Sequence, residues 1–239
     1  AIPSRTIAFD PDTNSLCMAW VHGQPLSEVL ERAQNDSSAR RRCAHAMRLV
    51  GVLLQRLRTA TRKPDAQPSP FLHEYMAYVS NGLEGLPILG RARFRGYGAQ
   101  AETLWRELLR ARETPSTCHG DLALKNIRMR GYRAGLIDFA STNDRSHLLS
   151  DIYGLFVHLR TGRFDDTFRR SLLDSLFRGI GKEAAYPDPV HRFHWEMQRR
   201  RWLFFKLVQG NAAQHLEGLR GLSELGLPLL DPQPVSLPS

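Results

Sequence analysis

The sequence predicts an α+β chain, a mainly helical body built around one small β-hairpin. Two observations carry that expectation. Apolar residues recur at helical spacing over most of the chain, as in Cys43, Met47, Val50, Leu54 and Leu57 and again in Ile152, Leu155, Phe156 and Leu159. Between them lies a strand-rich island, where Ile127-Arg128-Met129 alternates apolar with polar, Gly131 marks a tight turn and Ala134 to Ile137 reads as the returning strand. A chain of 239 residues can bury a large core in one or two domains.

Taken in order, Leu26 to Ala33 reads as a short helix, and Asp36 or Ser37 caps the long helix that carries Cys43 to Leu57. Lys63 to Pro70 holds three prolines and reads as a linker. Helices over Phe71 to Leu83 and Ala99 to Arg112 flank a Gly- and Arg-rich loop, and Gly96-Tyr97-Gly98 within it lacks the strand-to-helix setting of a dinucleotide fingerprint. The hairpin follows. Beyond Asp151 the pattern is helical again, with Phe168, Leu172, Leu173 and Leu176 as a second stripe. Pro187 to Pro189 breaks the chain before a long helix containing Trp195, Trp202, Phe204 and Phe205, and Leu227 to Ser239 is a proline-marked tail.

Composition narrows the partners. The net charge is +9, but residues 32 to 133 hold 19 basic and 8 acidic residues, so the surplus is local. Only four of the 33 basic residues are lysine, which points to a coding bias toward arginine, and no aromatic residues interleave with Arg40-Arg41-Arg42 as a nucleic-acid platform would want. No nucleic-acid partner is expected. Cys17, Cys43 and Cys118 are scattered without metal-type spacing, which suits a reducing cytoplasm. No apolar run is long enough to span a membrane, and the N-terminus lacks the basic and apolar regions of a signal peptide. The nine histidines include no His-x-x-x-His pair, and no Gly-x-Ser-x-Gly elbow is present, which argues against a transition-metal site and a serine hydrolase.

The chemistry concentrates in Cys118-His119-Gly120-Asp121-Leu122-Ala123-Leu124-Lys125-Asn126, followed by Ile137-Asp138-Phe139. Phosphoryl transfer needs positioning and charge neutralisation more than covalent chemistry. Asp121 offers a carboxylate to take a hydroxyl proton, while Asn126 and Asp138 offer hard oxygen ligands for magnesium on nucleotide phosphates. An amide beside a single carboxylate limits like-charge repulsion around the ion.

The His-Gly-Asp-x-x-x-x-Asn loop, the hairpin ending in Ile137-Asp138-Phe139 and the later Ser150-Asp151-Ile152 resemble the aminoglycoside phosphotransferase family, a branch of the protein-kinase-like fold that includes choline kinases. The resemblance implies Asp121 as catalytic base, Asn126 and Asp138 as metal ligands, His119 as a support for the loop and Asp151 as its brace from below. It also implies ATP or GTP and Mg2+ as cofactors, with a small-molecule hydroxyl acceptor. Ala140 stands where the family often has Gly. Upstream, Ile7-Ala8-Phe9 and Leu16 to Val21 resemble the last two small-lobe strands and His22 to Leu26 the hinge, so backbone groups of Met18, Ala19, Trp20 and Val21 would contact adenine.

On that reading, residues 1–21 are a remnant of the small N-terminal lobe, and residues 22–239 form the hinge and the helical C-terminal lobe with its acceptor-binding helices. The first lysine is Lys63, past the hinge, so the phosphate-covering lid is expected to be largely absent from this chain, which alone would be nearly inactive. The competing reading is a kinase-like binding or regulatory module without catalysis; the intact Asp121, Asn126 and Asp138 favour the enzyme. Residues 161 to 239 hold 11 basic and 9 acidic residues with no acidic cluster beyond Asp165-Asp166, so the expected acceptor is a neutral or anionic hydroxyl compound such as a sugar or lipid-linked sugar.

Overall fold

The computed structural model describes residues 6–10, 15–18, 22–162, 164–181 and 186–225. Strands β1 (Thr6–Asp10) and β2 (Ser15–Met18) pair antiparallel, where two strands were expected. Ala19, Trp20 and Val21, expected to contact adenine, lie outside the described residues, as do the side chain of Met18 and the tail expected from Leu227.

Strand β3 (Gln24–Pro25) and α1 (Leu26–Arg32) open the continuous part, followed by a single 3-10 turn and α2 (Ser37–Thr61). Asp36 caps α2, its Oδ1 accepting from the amides of Ser38 at 2.8 Å and Ala39 at 3.1 Å, which satisfies two of the free N–H groups at the helix start. The stripe Cys43, Met47, Val50 and Leu54 is buried, but Leu57 is only half-buried. Arg58 is buried in the same turn, with its guanidinium over the Tyr186 ring.

Helix α2 packs along α7 (Asp166–Ile180), which presents Phe168, Leu172 and Leu176. A Cβ on Gly51 would run into the Leu176 carbonyl oxygen, and one on Gly179 into that of Arg48. These two glycines let the helices approach backbone to backbone.

Helices α3 (Pro70–Glu84) and α5 (Tyr97–Ala111) are joined through α4 (Leu89–Arg93), where a loop was expected. The reason is burial: Gly90 sits against the Glu84 backbone, and the chain turns to bury Phe94 with Val79, Leu83 and Tyr97. Strand β4 (Ser116–Cys118) leads into the loop and the hairpin of β5 (Ile127–Arg130) and β6 (Arg133–Leu136). Ile127 faces Leu136 and Met129 faces Ala134, all buried, so one face of the hairpin rests on the core while β3 pairs with its outer edge at β5.

Strand β7 (Asn143–Ser146) returns to pair with β4, and α6 (Leu148–Thr161) follows directly. The helix begins three residues before Asp151, which therefore lies in its first turn. Helix α8 (Asp188–Leu207) starts with Pro189 inside its first turn, where a missing N–H costs nothing. It touches α3, α5, α6 and α9 (Ala212–Glu224), the last held by a capping box between Asn211 and Gln214. No described helix is long and apolar enough to cross a membrane.

Candidate active site

The loop from His119 to Asn126 is held from below. Asp151 is 1 % exposed; its Oδ2 accepts from the His119 amide at 2.8 Å and its Oδ1 from the Gly120 amide at 3.0 Å. Burial raises the Asp151 pKa, opposed by the charge of His119 and by the two amide donors. Gly120 has φ 82°, and a Cβ there would collide with the Ser141 carbonyl oxygen, so the turn requires glycine.

The same loop is tied to the end of β6. His119 is fully buried, with Nε2 at 2.8 Å from the Ile137 carbonyl oxygen and its ring against Phe139. The Ile137 amide donates to the Asn126 carbonyl at 3.0 Å. Both backbone groups of Ile137 are thus fixed, and the next residue, Asp138, leaves at φ 64° and ψ 65° with its side chain exposed. A left-handed non-glycine residue is a strained conformation that its surroundings must impose, and such residues gather at functional sites.

Asn126 is buried beneath the loop and donates its Nδ2 to the Asp121 carbonyl at 2.8 Å and, more weakly, to Asp121 Oδ2 at 3.4 Å. The structure therefore brings Asp121 and Asn126 into contact and fixes Asp138 through its neighbour. Among the described residues no three His, Cys, Asp or Glu side chains cluster as a metal cage. One carboxylate plus one amide oxygen fits a magnesium ion that draws its remaining ligands from phosphate and water.

Asp121 opens onto a cleft of about 900 Å³ bounded by the loop, α1, α6, α8 and α9. Asp138 is not part of its wall. Four carboxylates and four cationic side chains line the cleft, among them the pairs Asp121 with Arg201 and Lys206 with Glu217, so its formal charge balances. His158 also lines it; burial pushes its pKa down to about 4, with Asp121 opposing, so it is neutral at physiological pH. Trp202, Phe205 and Phe164 supply apolar wall. The described thiols are inert, since burial pushes Cys43 up to about 11 and Cys118 to about 12.

Two features escaped the sequence reading. Arg201 donates from Nη1 to the Gly120 carbonyl at 2.6 Å and from Nη2 to Asp121 Oδ1 at 2.6 Å. The signal was the run Arg199-Arg200-Arg201 inside a helix rich in aromatic residues, because buried guanidinium groups need partners. The second is a buried histidine pair, His147 Nδ1 and His194 Nε2 at 2.9 Å, far apart in sequence and invisible to a search for metal spacing.

Residues 7–203 match the model of the phosphotransferase enzyme family. A search of curated protein sequences gave no match. Among solved structures, a choline/ethanolamine kinase family protein from Mesorhizobium loti is similar at 17 % identity and a TM-score of 0.56, covering 95 % of this chain and 75 % of its own. A glucosamine kinase solved with glucosamine, ADP and inorganic phosphate gives 12 % identity and a TM-score of 0.60, covering 88 % of this chain and 63 % of its own. An aminoglycoside phosphotransferase of Streptomyces rimosus gives 18 % and 0.53, covering 84 % and 75 %. At such identities the likeness is one of fold, which is α+β and kinase-like.

Proposed function

The chain belongs to the phosphotransferase enzyme family, and from that premise we propose that it moves the γ-phosphoryl group of ATP or GTP onto a hydroxyl of a small molecule. The acceptor oxygen attacks the γ-phosphorus, its proton passes to the Asp121 carboxylate, and the bond to the β-phosphate oxygen breaks to release the diphosphate. Asn126 and Asp138 would hold Mg2+, which when bound neutralises charge on the phosphates. His119 and Asp151 keep the loop in shape, and backbone groups of Met18, Ala19, Trp20 and Val21 border the adenine. Residues 1–21 belong to the small lobe and residues 22–239 to the hinge and helical lobe. The dispersed cysteines favour a cytoplasmic setting.

The observation that carries this reading is the position of Asp121, a half-buried carboxylate joined to Asn126 and opening on a cleft large enough for a sugar-sized molecule. The balanced charge of that cleft supports a neutral or anionic acceptor, a sugar or lipid-linked sugar, over a polycation.

Diphosphate release across a panel of hydroxyl acceptors tests the acceptor class. Neutral sugars should outrun kanamycin-like polycations, and efficient turnover of the latter contradicts the assignment. Calorimetry tests the metal ligands: Asp138→Ala should lose magnesium-dependent nucleotide affinity and Asn126→Ala should weaken it less, whereas wild-type binding in both removes them from that role.

A further inference from the structure

We propose that Arg201 is a positioning residue for the transfer reaction, engaging one oxygen of the Asp121 carboxylate and leaving the other to take the acceptor's proton. The proposal rests on Asp121 being the base. Arg201 grips two successive groups of the loop at 2.6 Å each, the Gly120 carbonyl and Asp121 Oδ1, so backbone and side chain are both referenced to α8. Among the described residues Oδ2 has the 3.4 Å approach of Asn126 Nδ2, too long for a strong hydrogen bond, which leaves lone pairs for an incoming hydroxyl.

The anchor itself is rigid. Arg199 bonds the Tyr97 hydroxyl at 2.9 Å and Glu196 Oε2 at 2.7 Å. Arg200, fully buried, donates to Ser80 Oγ, the Tyr97 carbonyl and Gln100 Oε1, with its guanidinium 4.0 Å from the Tyr97 ring centroid. Successive residues of a helix point about 100° apart, so these two lock α8 against α3 and α5 while the third is delivered to the loop. Tyr75 on α3 faces the Arg201 guanidinium as well.

In a loose transition state little proton transfer is needed early, so orientation of the carboxylate outweighs its proton affinity. Arg201, Trp202 and Phe205 also line the cleft together, so one helix sets both the acceptor wall and the direction of the base.

The test is steady-state kinetics of the native protein with its best acceptor from the panel. Arg201→Ala should lower kcat by about 100-fold with the nucleotide KM near wild type, because the contact lies on the acceptor side of the loop. Arg201→Lys, which can keep one of the two contacts, should recover about a tenth of wild-type kcat, and added guanidinium ion should raise kcat of Arg201→Ala but not of wild type. In an Asp121→Asn background, Arg201→Ala should cost less than about threefold, since there is no base left to orient. If Arg201→Ala does not fold, Arg201→Gln carries the same comparison. Full activity of the Arg201 variants, or an equal loss in both backgrounds, overturns the proposal alone. A folded wild-type protein that phosphorylates no acceptor overturns the kinase reading and this proposal with it.

Discussion

Replacing Asp151 by alanine should destabilise the protein by about 2–3 kcal/mol, and the structure shows where that comes from. Two amides, the buried one of His119 and the half-buried one of Gly120, lose the Asp151 carboxylate, and an orphaned donor costs about 1–3 kcal/mol. Their sum, about 2–6 kcal/mol, is offset by release of a carboxylate whose raised pKa records the cost of burying its charge, which places the net in the lower half of the range. For a domain of this size that is a fall in Tm of roughly 5–10 °C. Asp151→Asn is the sharper probe. It preserves volume but presents an amide nitrogen to one of the two donors, so it should lose nearly as much as alanine. Differential scanning calorimetry of the three proteins decides the matter. An unchanged Tm in both variants would show that the loop holds its shape without Asp151.

Acid should weaken the fold through the buried histidines. Burial holds His147 at about 4 against an ordinary 6.5, so the unfolded chain takes up protons first, and stability that is complete above pH 6.5 is lost as pH falls toward 4. At pH 5 the loss from this group is about 2 kcal/mol. His194, depressed in the same direction by burial, adds to it. Urea titrations at pH 7 and pH 5 should show a smaller difference for His147→Gln than for wild type, and equal differences would remove His147 as the source. Arg200→Ala should cost about 3–5 kcal/mol in urea unfolding at neutral pH, because it strips several buried partners at once, and Arg200→Lys should restore little of it since an ammonium cannot reproduce the fork; a loss below 1 kcal/mol would mean that α8 is held by its apolar face alone.

The helical stripes were legible because each repeats a buried side chain every turn, as Cys43, Met47, Val50 and Leu54 do. The hairpin was legible for the converse reason, a short alternation with glycine at its turn. Strands β4 and β7 were not, because three or four residues carry too little pattern and their pairing joins segments more than twenty residues apart. Helix α4 hid in its one glycine and two arginines, since what makes it is the burial of Phe94, a tertiary fact. At the site, the proximity of Asp121 and Asn126 is set by local turn geometry and could be read from spacing. The grip of Arg201 could not, because it depends on the rotation of a helix eighty residues downstream.

The central claim is that Asp121 takes the acceptor proton during phosphoryl transfer, and the most direct measurement compares acceptor-dependent diphosphate release by wild type and Asp121→Asn in the native protein, with nucleotide affinity measured alongside. The substitution keeps the shape of the side chain and removes the base. Turnover should fall by about a hundredfold or more while nucleotide affinity stays at the wild-type value. Wild-type turnover in Asp121→Asn, with the same acceptor, would contradict the account.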